Sequence, residues 1–151
     1  MNYIQENTSK VRFYTSMNDV ARWLEIDLED YDWHISDIEG AWPELDDPSW
    51  VRGEALSSKL QEYDYQFVWS VISAFPKNTE PFTTDEPFAD GNQGFWQGEP
   101  EKQLKNSLFE IVCWDSSATL FIGLSDVLGN KLVANAPGVK DLKKENAQRQ
   151  C

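Results

Sequence analysis

Histidine occurs once in the 151 residues, at His34, and cysteine twice. A lone histidine leaves no His-rich metal site, and no cysteine pair has a zinc spacing. The cysteines make no disulfide framework, because Cys113 lies in an apolar run and Cys151 is the final residue, which fits a reducing compartment. Positive charge is scarce as well: Lys plus Arg number 13 against 26 Asp plus Glu, a formal net charge of -13. That balance argues against nucleic acid or an anionic membrane as a partner bound through a general electrostatic surface, and favours a basic ligand. Long apolar runs are missing too. No uncharged apolar stretch approaches about eighteen residues, and residues 1–15 lack a basic start followed by an apolar run, so neither a spanning helix nor a signal peptide is expected. The expected location is cytoplasmic.

What is present suits a folded core. Hydrophobic residues make up 40% of the chain, more than a disordered acidic chain carries, and the length fits one domain. KVRFYT at 10–15 alternates as a first strand, with Val11 and Phe13 facing one way. Ser16 is placed to cap a helix, with Asp19 in the capping-box position and Val20, Trp23 and Leu24 on its apolar face, ending near Ile26. DYDWHIS at 30–36 is a strand candidate with Tyr31, Trp33 and Ile35 on one side, and residues 37–47 are a loop. Asp47-Pro48 reads as the start of a second helix, carrying Leu56, Leu60 and Tyr63 on one face. YQFVWSVISAFP at 65–76 is the strongest strand, apolar on both faces near its middle and therefore central. Residues 77–104, with Pro81, Pro87 and Pro100, form a long loop, either mobile or a binding element. FEIVCW at 109–114 and TLFIG at 119–123 make a hairpin. Ser125 caps a last helix with Val127, Leu128, Leu132 and Ala136 facing inward, weakened by Gly129 and stopped at Pro137-Gly138. The expected fold is α+β, a mixed or mostly antiparallel sheet packed by about three helices over residues 1–139. Residues 140–151 follow as a polar C-terminal tail that frays or forms a short helix.

No constellation announces catalysis. His34 has Asp32 and Ser36 on its side of the strand, but a histidine hydrogen-bonded on a sheet surface explains it more simply. Cys113 is a buried apolar cysteine whose thiolate burial disfavours. Glu44, Asp46 and Asp47 do not follow the calcium-loop pattern, and GNQGFWQG at 91–98 lacks the Walker lysine. No catalytic residue, metal or cofactor is therefore expected.

Two segments stand above background. From Glu25 to Glu54 there are 11 acidic residues and one basic residue, Arg52, with Trp33, Trp42 and Trp50 among them. From Thr79 to Glu101 there are six acidic residues and no basic one, with Phe82, Phe88, Phe95 and Trp96. Carboxylates interspersed with flat aromatics suit a cationic protein, steered at long range and anchored by desolvated rings. The candidate partner-binding residues are Asp37, Glu39, Trp42, Glu44, Asp46, Asp47 and Trp50 in the first segment, and Asp85, Glu86, Asp90, Phe95 and Trp96 in the second. Trp42 and Trp96 lie in Gly/Pro-containing loops and suit an interface or an internal anchor equally.

A small acidic chain with Trp-rich loops, a W-x-I-S-D turn at Trp33–Asp37 and an E-I-V-C-W-D strand before a hairpin resembles the small bacterial immunity proteins of polymorphic-toxin systems. The resemblance implies a cytoplasmic inhibitor that occludes the active site of a basic partner, a toxin or nuclease domain. Acidic side chains would then stand where substrate phosphates bind. Two other classes compete. A structural or regulatory adaptor would carry an apolar patch with charge at its rim, and a small hydrolase or transferase would need a pocket around His34 or Cys113.

Overall fold

The computed structural model describes residues 1–149. Its centre is a seven-stranded sheet in which every neighbouring pair is antiparallel, in the order β3-β2-β4-β5-β6-β1-β7. The strands are β1 (Tyr3–Glu6), β2 (Tyr31–Gly40), β3 (Ser49–Arg52), β4 (Phe67–Pro76), β5 (Phe109–Trp114), β6 (Ala118–Ile122) and β7 (Val139–Asp141). Four α-helices, α1 (Met17–Leu24), α2 (Gly53–Glu62), α3 (Asp126–Asn135) and α4 (Leu142–Arg149), pack around it. The expected α+β class and mostly antiparallel sheet hold, with one helix more than anticipated.

Side-chain alternation divides the sheet into two unlike faces. Trp33 and Ile35 of β2, Ile72 and Ala74 of β4, Phe109, Ile111 and Cys113 of β5 and Phe121 of β6 form the main core with Val20 and Leu24 of α1, Leu56 and Leu60 of α2 and Leu132 of α3. On the other face Val71, Val112, Leu120, Ile122 and Ile4 meet Leu142 of α4 and Ala89 and Phe95 of the irregular segment between β4 and β5. That segment, residues 77–108, contains only a short 3-10 turn at Gln93–Trp96.

Local signals place most elements. Ser16 accepts from the Asp19 amide and Ser125 from the Leu128 amide, each at 3.2 Å, so both caps are where they were expected. The β5–β6 hairpin turns through Asp115–Ser117, with Trp114 opposite Ala118. Other expectations fail for identifiable reasons. Residues 10–15 are no strand: the Tyr14 hydroxyl hydrogen-bonds the Thr8 amide and carbonyl, folding the stretch back on itself, and the first strand is instead Tyr3–Glu6. Asp47 caps no helix. Residues 49–52 pair with β2, and α2 begins only at Gly53, where a Cβ would collide with the Tyr31 carbonyl oxygen. β2 runs past residue 36 to Gly40 through a register shift beyond Ser36, with Asp37 at φ 54°. Val127 points outward, 64% exposed. Gly129 packs against Tyr3, whose hydroxyl would lie 2.7 Å from an added Cβ, so the residue that weakens α3 also seats it on the sheet. Of the two expectations for the polar tail from Lys140, fraying or a short helix, the helix holds: it follows an edge strand, with Leu142 and Asn146 fully buried; Gln150 and Cys151 lie outside the described residues.

Candidate protein-binding site

The second face of the sheet must cover polar side chains. Asp32, His34 and Ser36 of β2, Ser73 of β4 and Glu110 of β5 all point to it and all are buried beneath residues 77–104. The segment pairs only some of its own amides, as at Asn92 and Gln97, and the sheet supplies acceptors for others. Asp32 receives the Asn78 amide at 2.7 Å where the segment begins, together with the Gly53 amide at 3.1 Å. Asp37 receives the Ala89 and Asp90 amides at 2.8 and 2.9 Å in its middle. Glu110 receives the Gln103 and Leu104 amides at 2.6 and 3.0 Å near its end. Ser36 adds a hydrogen bond from its hydroxyl to the Pro87 carbonyl, 2.7 Å. Three carboxylates thus pin one long loop at three points.

Their electrostatics differ. Burial alone would raise the Asp32 pKa, but hydrogen bonds from Arg52, Gly53, Asn78 and Lys77 overcome it and bring it down to about 2. Burial dominates at Glu110, whose pKa is raised although Ser73, Leu104 and Gln103 all donate to it. Burial also lowers the His34 pKa, opposed by the nearby negative charge of Asp47. Its Nδ1 has no hydrogen-bond partner, and its ring meets Trp50 edge-on at 4.9 Å.

These groups do not form a nucleophilic triad. The Ser73 hydroxyl donates to Glu110 at 2.7 Å, so the carboxylate rather than an imidazole takes the hydrogen bond a nucleophile would give its base. Cys113 is buried on the opposite face, where burial pushes its thiol up to about 12. Neither His34 nor Cys113 lines the surface clefts bounded by Asn2 and Lys102, by Lys10 and Asp64, or by Phe13 and Tyr63. Among the described residues no group of three or more His, Cys, Asp or Glu side chains is arranged to hold a metal ion, and no helix is long and apolar enough to cross a membrane.

The residues singled out for partner binding separate by type. The carboxylates of Glu39, Glu44, Asp46, Asp47, Asp85, Glu86 and Asp90 belong to exposed residues, with Asp37 half-buried between them. Two have a second use: Asp47 accepts from the Asp37 and Ile38 amides at 2.9 and 2.8 Å, and Asp37 in turn holds residues 89 and 90. Asp47, Asp37 and Asp90 are thereby linked, and the two acidic segments also meet where the Trp50 indole donates to the carbonyl of Phe82, 32 residues further along the chain. Among the described residues none of these eight carboxylates forms an ion pair, whereas Asp19, Asp32, Glu54, Asp64 and Glu99 do.

The aromatics mostly turn inward. Trp42 is 7% exposed, packed against Tyr65 and Phe67, and Phe95 is 2% exposed, its carbonyl held by Asn146. Both are core side chains rather than free contacts. Trp50 is half-buried among His34, Phe75 and Phe82, and Trp96 is half-buried between Trp114 and the Arg149 guanidinium. The rings left open to solvent in the acidic segments are Phe82 and Phe88, 40% and 47% exposed. Sequence reasoning noted both and selected neither; their signal was an apolar residue in a Pro-rich loop between acidic neighbours. No family model matches this chain, and neither a curated protein nor a solved structure matches it.

Proposed function

We propose that the protein is an acidic protein-binding module, an immunity-type inhibitor that binds a cationic toxin or nuclease domain and covers its active site. The observation that carries this reading is the junction at Asp37, where the two acidic segments meet through Asp47 and the Ala89 and Asp90 amides, while the eight carboxylates singled out in those segments form no ion pair among the described residues. Carboxylates of this kind accelerate encounter with a basic domain and repel anionic competitors. Because the pinned loop and the β2–β3 connection hold the charges in place before binding, little ordering cost accompanies association. Carboxylates fixed in this way are suited to the positions where a nuclease would otherwise hold substrate phosphates.

The test uses Glu44→Lys, Asp46→Lys and Glu86→Lys together, which leaves Asp37 and Asp47 to their backbone contacts. Capture from source-cell lysate at low and high salt, with mass spectrometry, should recover a basic protein whose activity the wild-type chain suppresses. The triple variant should associate at least about tenfold more slowly, with a flatter salt dependence. Equal association rates for the two proteins would remove this surface from the interface and the inhibitor reading with it.

A further inference from the structure

Phe88 is held by its backbone and leaves its ring free. Its amide donates to Gln103 Oε1 at 3.1 Å, and its carbonyl accepts from Gln103 Nε2 at 2.9 Å and from Asn92 Nδ2 at 3.0 Å. The residues on either side are fixed too, Pro87 through Ser36 and Ala89 through Asp37. The Gln103 amide itself is bonded to the buried Glu110 carboxylate. Phe95 of the same loop is 2% exposed and packs in the core. The Phe88 ring is instead 47% exposed and makes no ring contact among the described residues.

Phe82 shares a cleft with Gln103. It packs on Phe75 and Trp50 and lines a small cleft of about 150 Å³ with Thr84, Gln103, Leu104, Lys105 and Asn106. Gln103 thus lines the Phe82 cleft and holds the Phe88 backbone, and Glu86 and Asp90 stand exposed within two residues of Phe88 without ion-pair partners among the described residues. An exposed ring on a fixed backbone loses little conformational freedom when it is buried by a partner, the property that distinguishes binding anchors from ordinary surface apolar residues.

Resting on the inhibitor reading above, we propose that Phe88, seconded by Phe82, is the apolar anchor of the interface and enters an apolar pocket rimmed by lysine or arginine on a basic protein domain. The uncompensated carboxylates beside the ring select that rim, because a neutral or acidic rim would leave them desolvated without partners. Charge then governs the rate of arrival and the ring governs the lifetime of the complex.

The experiment places p-benzoylphenylalanine at position 88 of the full chain in its source cells, and at position 127 on α3 as a control. Irradiation should give one adduct from position 88, with a polypeptide richer in Lys plus Arg than in Asp plus Glu, and none from position 127. With that polypeptide as the ligand, Phe88→Ala should raise the dissociation rate about 30-fold or more while leaving the salt dependence of association unchanged, and Phe88→Leu should restore most of the lifetime. Glu86→Lys with Asp90→Lys should do the reverse, slowing association and sparing dissociation. No adduct from position 88, or an unchanged lifetime in Phe88→Ala while charge reversal still slows association, overturns the anchor and spares the acidic surface. An adduct with an acidic protein whose association ignores salt overturns both readings.

Discussion

The two faces of the sheet are closed by different means. Helices α1, α2 and α3 cover one, and since a helix satisfies its own backbone it has only side chains to offer, so Phe121, Ile111, Trp33 and Leu24 close that face by apolar contact. The other is closed by α4 and by residues 77–104, whose amides have no regular partner. There the sheet supplies acceptors, which is why Asp32, Ser36 and Glu110 are buried where a helix-covered sheet would carry valine or isoleucine. Apolar packing on the first face sets global stability. Acceptor side chains on the second set the shape of a loop that presents charge and two phenyl rings.

The largest effects should therefore come from the helix-covered face. Phe121→Ala removes a fully buried ring from the main core and should cost about 4 kcal/mol in urea unfolding, in one cooperative transition that speeds amide exchange in all strands together. A loss below about 1 kcal/mol would mean the ring is not packed as a core side chain.

Asp32→Asn tests the loop-covered face. The carboxylate bonds two amides and two cations, but Arg52 and Lys77 are partly exposed and regain water when released, so the expected cost is near the low end for a buried ion pair, about 2 kcal/mol. Exchange should quicken first at the Asn78 amide, while the main core remains protected. Uniform loss of protection would show that the two faces do not separate energetically. Glu110→Gln sharpens the contrast: it removes a charge that burial disfavours, but one of the two oxygens becomes an NH2 group facing a backbone amide, so the expected cost is about 1–2 kcal/mol, with faster exchange at Gln103 or Leu104.

How much of this could be read from residues follows from the same contrast. Helix caps at Ser16 and Ser125, the β5–β6 hairpin and the long β4 strand depend on local chemistry, and each was legible. The alternation of Tyr31, Trp33 and Ile35 with Asp32, His34 and Ser36 marks a strand correctly, yet reads as one wet face. That face is dry because a loop some fifty residues downstream covers it, a fact no local window contains. β1 was missed because four residues carry too little periodicity, and its burial depends on β6 and β7 from the far end of the chain. The acidic stretches were legible as charge. Their union at Asp37 and the inward turn of Trp42 and Phe95 were not, since an aromatic residue in a loop looks the same whether it anchors the loop or awaits a partner.

The smallest effect concerns His34, in the loop-covered face. Burial holds its folded-state pKa below the ordinary 6.5, so as pH falls through 6.5 the unfolded chain takes up a proton that the folded chain refuses. Its contribution is fully present above pH 6.5 and is lost as pH drops toward the folded value. Glu110 acts in the opposite sense: its raised pKa means the folded chain binds its proton first, so stability is gained as pH falls through that raised value toward 4.5. Asp32 enters only lower, losing stability between 3.8 and about 2. Comparing wild type with His34→Gln by urea unfolding at pH 7.0 and 5.5 isolates the histidine, because the carboxylates are common to both proteins. Wild type should lose stability relative to the variant over that interval. A difference that stays constant would mean that His34 titrates alike in the folded and unfolded chains, and that water reaches the loop-covered face at Nδ1.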